Sequence, residues 1–120
     1  MPTRVRLVLR VAVGLVFVVF GAGKFTQHAT EVDSFRTYGL PSPDAFVYAI
    51  GVLEIGGGLM LISGLLLPLA ALALAGDMVG AIVVSGIGEG EWISLTLAPA
   101  LLVAMLALLA DWRRHSGRGP

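Results

Sequence analysis

The chain has no cysteine, two histidines, one lysine, and charge on only 13% of its 120 residues. Each scarcity excludes something. Without thiolates, disulfide exchange, iron–sulfur ligation and cysteine zinc sites are ruled out within this chain. His28 and His115 both lie outside the apolar runs, so no imidazole pair can clamp a haem inside a bundle. No metal site is expected. Net charge is zero and the basic residues gather at the two ends instead of forming a stripe. Nucleic acid is therefore excluded as a partner, because phosphate neutralisation needs a clustered basic face.

Apolar residues are what the chain has in excess: 57% of it is hydrophobic and the mean hydropathy is +0.90. One domain of this length (1–120) cannot hide so much apolar surface in water, so lipid must cover it. Val5 to Lys24 spans 20 residues, about 30 Å as a helix and enough to cross a hydrocarbon core. Its basic start and Gly21-Ala22-Gly23 also resemble a secretory leader, but further spans follow and the cleavage pattern is poor. Asp44 to Leu66, Pro68 to Ser85 and Trp92 to Asp111 complete four spans, at about 5–24, 44–66, 68–85 and 92–111. Ser42-Pro43-Asp44 offers a capping hydroxyl, a first-turn proline and a first-turn acid. Pro99 is expected to kink the last span. Trp92 and Trp112, 20 residues apart, place an indole at each interface.

Between the first two spans, Phe25 to Ser42 is the one extended polar segment. Phe25, Ala29, Val32 and Phe35 share one helical face, and Thr30-Glu31-Val32-Asp33 resembles a capping box. A short amphipathic helix is expected here, with an ordered loop as the alternative. The expected fold is all-α, a four-transmembrane-helix bundle carrying this amphipathic segment. Arg4, Arg6, Arg10, Arg113, Arg114 and Arg118 flank the outermost spans, whereas the loops at the other face hold only Lys24 and Arg36. By the positive-inside rule both termini are cytoplasmic, in a bacterial-type plasma membrane. Gly76 and Gly80 form a G-x-x-x-G, with Ala71 and Ala75 on the same span, so close helix packing is expected there. Gly51, Gly57 and Gly58 surround Glu54 and should let that face approach another backbone.

An ionisable side chain within a span is costly and is treated as a site candidate. Lys24 lies near the outer boundary, and Glu54 about 15 Å below it on the second span. Cα–Cβ bonds tilt toward a helix's N-terminus, so Lys24 leans into the membrane and Glu54 leans up to meet it. A Lys24–Glu54 contact follows, either as a register-setting ion pair or as a polar pocket. Asp77 has a similar depth, but the same tilt carries it away from Glu54, and Arg10 is its candidate partner. His28 and His115 are expected to be solvated. No P-loop or dinucleotide fingerprint is complete.

Several pieces together resemble the DoxX family of small four-helix membrane proteins, over about residues 6–112. They are Arg6-Leu7-Val8-Leu9-Arg10, Phe20-Gly21-Ala22-Gly23-Lys24-Phe25, Tyr38-Gly39-Leu40-Pro41, Leu53-Glu54-Ile55-Gly56-Gly57-Gly58-Leu59 and Ile62-Ser63-Gly64-Leu65. The resemblance makes Lys24 and Glu54 recurrent charges of the family. Asp77 departs from it, as do Leu66-Leu67-Pro68 and the ending Asp111-Trp112-Arg113-Arg114. It implies an accessory subunit of a membrane redox assembly, quinone-linked, with other membrane subunits as partners and a quinone as the cofactor class in view. The residues themselves supply no catalytic constellation, so any enzymatic role would belong to a larger oxidoreductase. A scaffold or assembly chaperone for membrane proteins, and a small transporter or proton path through Glu54 and Asp77, stand as alternatives.

Overall fold

The computed structural model describes residues 1–116, so the expectation placed on Arg118 lies outside the described residues. Five α-helices account for nearly all of it: α1 (Thr3–Thr26), α2 (His28–Thr37), α3 (Pro43–Ser63), α4 (Leu67–Ala81) and α5 (Trp92–Ser116). A π-helical stretch, Ile82–Ile87, continues α4. Four helices are long and apolar enough to cross a membrane: α1, α3, α4 with its extension, and α5. The bundle measures 48 × 25 × 21 Å.

Glycines set the tightest helix pair. In lipid, helices gain little from hiding apolar surface, so close packing across small residues carries their association. Gly14 and Gly21 on α1, seven residues apart, meet Gly58 and Gly51 on the antiparallel α3. A Cβ on Gly58 would stand 2.6 Å from the Gly14 carbonyl oxygen, and one on Gly21 would stand 2.8 Å from that of Gly51. Gly57 faces α4 instead, where Leu74 fills the space beside it. Ala71 and Ala75 are buried, as a packing face requires. Gly76 and Gly80 are not a packing face: nothing lies within 4 Å of where their Cβ atoms would stand. That corrects the G-x-x-x-G expectation. The motif gives α4 a smooth side, and no helix is laid against it.

The termini-side half is solid. Phe17, Leu61, Leu74 and Met105 are each 0% exposed and belong to one core joining α1, α3, α4 and α5. Arg10 caps the end of α3, donating to the carbonyls of Leu61 (2.9 Å) and Ile62 (3.0 Å). These are orphan carbonyls of a helix C-terminus, where a cation is doubly favoured. Gly64 follows at φ +77°, and a side chain there would strike the Arg10 guanidinium. At the same face, buried Asp111 takes Arg6 at 2.6 Å and the terminal ammonium at 3.2 Å, with His115 3.4 Å away. His115 is exposed, as expected, and bonds Arg6 at the edge of this cluster.

Helix α2 lies across the opposite face. Val32 and Phe35 are buried against Val47 of α3, as the amphipathic reading expects, whereas Phe25 and Ala29, placed on the same face, are exposed. Its start does not follow the capping-box expectation: the helix begins at His28, and Thr30 is already inside it. Ser42 likewise makes no side-chain cap to α3, because its backbone is left-handed (φ 45°) at the turn into Pro43. α5 runs unbroken through Pro99. Trp92 and Trp112 stand near its two ends, 72% and 39% exposed, as interface anchors should be.

Candidate functional site

Where α1, α3 and α4 face one another below α2, three charged side chains meet. The Lys24 ammonium lies 3.0 Å from Glu54 Oε1 and 3.9 Å from Glu31 Oε1 of α2. Glu54 is 3% exposed and Lys24 9%. The contact expected between the first two spans is therefore present. Gly51 makes it reachable: a Cβ there would stand 3.1 Å from Lys24 Cβ, so the lysine stem passes directly over a bare backbone.

Asp77 comes to the same place from α4. Its carboxyl interacts directly with that of Glu54, and both line one cavity. Glu54 Oε1 takes the ammonium's charge without a well-directed hydrogen bond, and Asp77 Oδ2 is buried with no donor. The expectation that Asp77 turns away toward Arg10 is thus corrected on both counts. Arg10 is occupied by the end of α3, and helix register outweighs Cβ tilt. Glu54 and Asp77 stand nine residues before Ser63 and ten after Leu67, so both lie about 15 Å from the α3–α4 turn. Equal height brings the carboxyls together, while tilt displaces each by only a fraction of a helical turn. One ammonium facing two carboxylates leaves one negative charge over, which a proton would cancel and a hydrogen-bond-donating ligand would offset.

The cavity has a volume of about 550 Å³. Lys24, Glu54 and Asp77 form its polar end, and Glu31 also lines it. Phe20, Phe46, Ile50, Leu53, Leu97 and Leu101 make up much of the apolar wall. It exists because α3 and α5 do not approach each other, while α4 offers glycine where a bulky residue would fill the gap. Exposed Gly76 and Gly80 leave a lateral opening on that side. Ser85 of the π-helical stretch bonds Ser94 of α5 on the far wall. The extra residue per π turn turns Ser85 inward, where an α-helical register would point it elsewhere.

Two latches hold α2 over this space. At one end His28 bonds Asp44 through Nε2, donates from Nδ1 at 3.0 Å to the Lys24 carbonyl oxygen, and stacks on Tyr48 at 3.8 Å. A carbonyl oxygen can only accept, so Nδ1 carries a proton here. The Asp44 hydrogen bond raises the His28 pKa above its ordinary 6.5, against a smaller opposing effect of desolvation. His28 is therefore not a free surface residue, contrary to expectation. At the other end Tyr38 donates to Glu91 in the α4–α5 turn. Burial, reinforced by that bond, pushes the Tyr38 pKa up to about 12, so the donor proton is kept at any physiological pH.

Glu31, Tyr38 and Glu91 are the members that sequence reasoning missed. Glu31 had a legible signal, since it lies seven residues after Lys24 across a short break between helices. The remaining two depend on a contact between elements far apart in the chain.

Comparison with known proteins adds the following. The family model described as DoxX matches residues 5–86. A Bacillus subtilis (strain 168) protein named "Putative oxidoreductase CatD" is 34% identical over 77 residues, covering 64% of this chain and 56% of that protein. A Mycobacterium tuberculosis protein named as an uncharacterized membrane protein is 40% identical over 78 residues, covering 64% of this chain and 48% of its own length. The chain thus spans about half the length of the curated relatives it matches. No solved structure matches it significantly.

Proposed function

The chain belongs to the DoxX family of membrane proteins, and from that premise we propose that it is an accessory membrane subunit of a quinone-linked redox assembly, holding the quinone headgroup at Lys24, Glu54 and Asp77. The observation that carries this reading is a cavity of about 550 Å³ whose apolar walls end on one ammonium and two incompletely bonded carboxyls. Its size is within the range of small-molecule sites, and its few convergent polar groups have the character of one. The residues present fit such a group. Lys24 can donate to a headgroup oxygen, Glu54 and Asp77 can accept or return protons, and the opening beside Gly76 and Gly80 gives an isoprenoid tail a way into lipid.

A bound quinone supplies two-electron, two-proton chemistry. The chain's own residues bind, orient and move protons; they bring no thiolate set or imidazole pair, so electrons come from a partner subunit. The word oxidoreductase in the name of the Bacillus relative is in keeping with this. The arginines at both ends support cytoplasmic termini by the positive-inside rule, with α2 then on the outer face of a plasma membrane. A continuous proton path is opposed by the apolar layer of Phe17, Leu61, Leu74 and Met105, all 0% exposed.

The test is chemical. Native protein, purified in mild detergent and extracted with solvent, should yield bound quinone. Lys24→Met and Asp77→Asn should each lower the amount held about tenfold or more, the usual worth of one charged hydrogen bond. If no quinone co-purifies and a short-tailed quinone added back fails to bind, the reading is wrong.

A further inference from the structure

We propose that protons reach and leave the buried Lys24–Glu54–Asp77 cluster from the α2 face only, with Glu31 as the relay group at the mouth. The inference goes beyond the quinone reading and does not depend on which molecule fills the cavity.

Three observations carry it. First, the ionisable groups form a graded series. The Glu31 side chain is 28% exposed, that of Lys24 11% and that of Glu54 4%, with Glu31 to Lys24 at 3.9 Å and Lys24 to Glu54 at 3.0 Å. Asp77 stands beside Glu54 at the inner end, half-buried and lining the same cavity. Second, Lys24 and Glu31 also wall a second hollow of about 480 Å³, which runs past Gly23, Thr26 and Gln27 at the α1–α2 junction. The two spaces therefore share the same charged partition, one side of which is polar and on the α2 face. Third, the opposite direction is closed. Phe17, Leu61, Leu74, Met105 and Leu108 are at most 1% exposed and lie between the cluster and Asp111. Asp111 is itself tied to Arg6 at 2.6 Å. A proton moves between groups within hydrogen-bond reach or across one water, and an apolar, close-packed layer offers neither.

The titratable groups facing the cluster are Lys24 from α1, Glu31 and Tyr38 from the α2 side, Glu54 from α3 and Asp77 from α4. α5 contributes Ser94 to the cavity and no titratable side chain. Tyr38 is committed to Glu91. Glu31 is left as the group that is both near the ammonium and in contact with solvent. Proton exchange at this site is consequently one-sided, and ligand chemistry there is coupled to the pH of a single compartment.

The absence of native cysteine makes the test clean. Single-cysteine variants Asp77→Cys and Ala73→Cys (the second keeps every charge and guards against misfolding of the first) are exposed to a small, impermeant, cationic methanethiosulfonate. Sealed right-side-out and inverted membrane vesicles present opposite faces, and Glu89→Cys in the α4–α5 turn reports which face is α2. Both cavity thiols should be modified from the α2 face and not from the other, and Leu74→Cys from neither. Modification from the termini face, or from neither face, overturns the inlet. For the relay, deuterium exchange of the carboxyl C=O stretch after rapid mixing with D₂O should slow about tenfold or more in Glu31→Gln. Unchanged exchange removes Glu31 from the route. Loss of quinone binding affects neither reading, so the two proposals fail separately.

Discussion

Removing the Lys24 ammonium leaves Glu54, 3% exposed, without its cation 3.0 Å away. Lys24→Met should therefore cost about 3–5 kcal/mol, the usual penalty for orphaning a buried charge. Lys24→Met combined with Glu54→Leu should recover most of that loss, because a buried ion pair exchanged for packed apolar groups is often neutral. Unfolding in mixed micelles measures both. If quinone retention returns with stability in the double variant, the pair only sets register. If stability returns alone, the charges serve the ligand. At this scale the sequence was informative about Lys24 and Glu54, since depth and tilt agree for them. It misled for Asp77, where the two arguments conflicted and the larger effect was depth.

Between elements, the same residue type serves two opposite ends. Gly58 is occupied space, with the Gly14 carbonyl oxygen 2.6 Å from a would-be Cβ, whereas Gly76 has nothing within 4 Å. Gly58→Ala should destabilise the protein by about 1–3 kcal/mol through overpacking at the α1–α3 contact. Gly76→Ala should be neutral or slightly stabilising, by up to ~1 kcal/mol of helix propensity. Thermal unfolding in detergent separates them. The seven-residue spacing of Gly14 and Gly21, matched by Gly51 and Gly58, was the legible sign of the true contact.

Helix α2 is the element whose seat depends on pH. With the His28 pKa raised by Asp44, docked α2 holds the proton more tightly than free α2. The added stability is fully present below the ordinary value of 6.5 and is lost as pH rises through the raised one. Amide exchange in residues 28–37, corrected for its intrinsic pH dependence, should therefore be faster near pH ~8.5 than near pH ~5.5. His28→Ala should flatten that difference. Equal protection at both pH values in the unsubstituted protein would show that His28 does not help seat α2.

Taken whole, the molecule is a bundle with two unlike halves. The termini half is filled by Phe17, Leu61, Leu74, Met105 and Leu108, and closed at its face by Asp111 with its cations. The α2 half is hollow, roofed by a helix latched at His28 and Tyr38, and charged at its centre. Composition and run length alone determined that four helices cross a membrane, and that a short polar segment interrupts them. Those properties come from chain-local hydropathy and from the length a bilayer demands, which no tertiary arrangement can alter. The spacing of charges along each span went further and brought Lys24 to Glu54.

Tertiary structure decided the rest. Whether a glycine stripe meets a helix or borders a void depends on where the neighbouring helix is placed, and the tight α1–α3 packing leaves α4 and α5 displaced on the other side. Which carboxyl faces which depends on helix register about the α3–α4 turn. The cavity is a gap among the four spanning helices beneath α2, and a gap is a property of no single one of them.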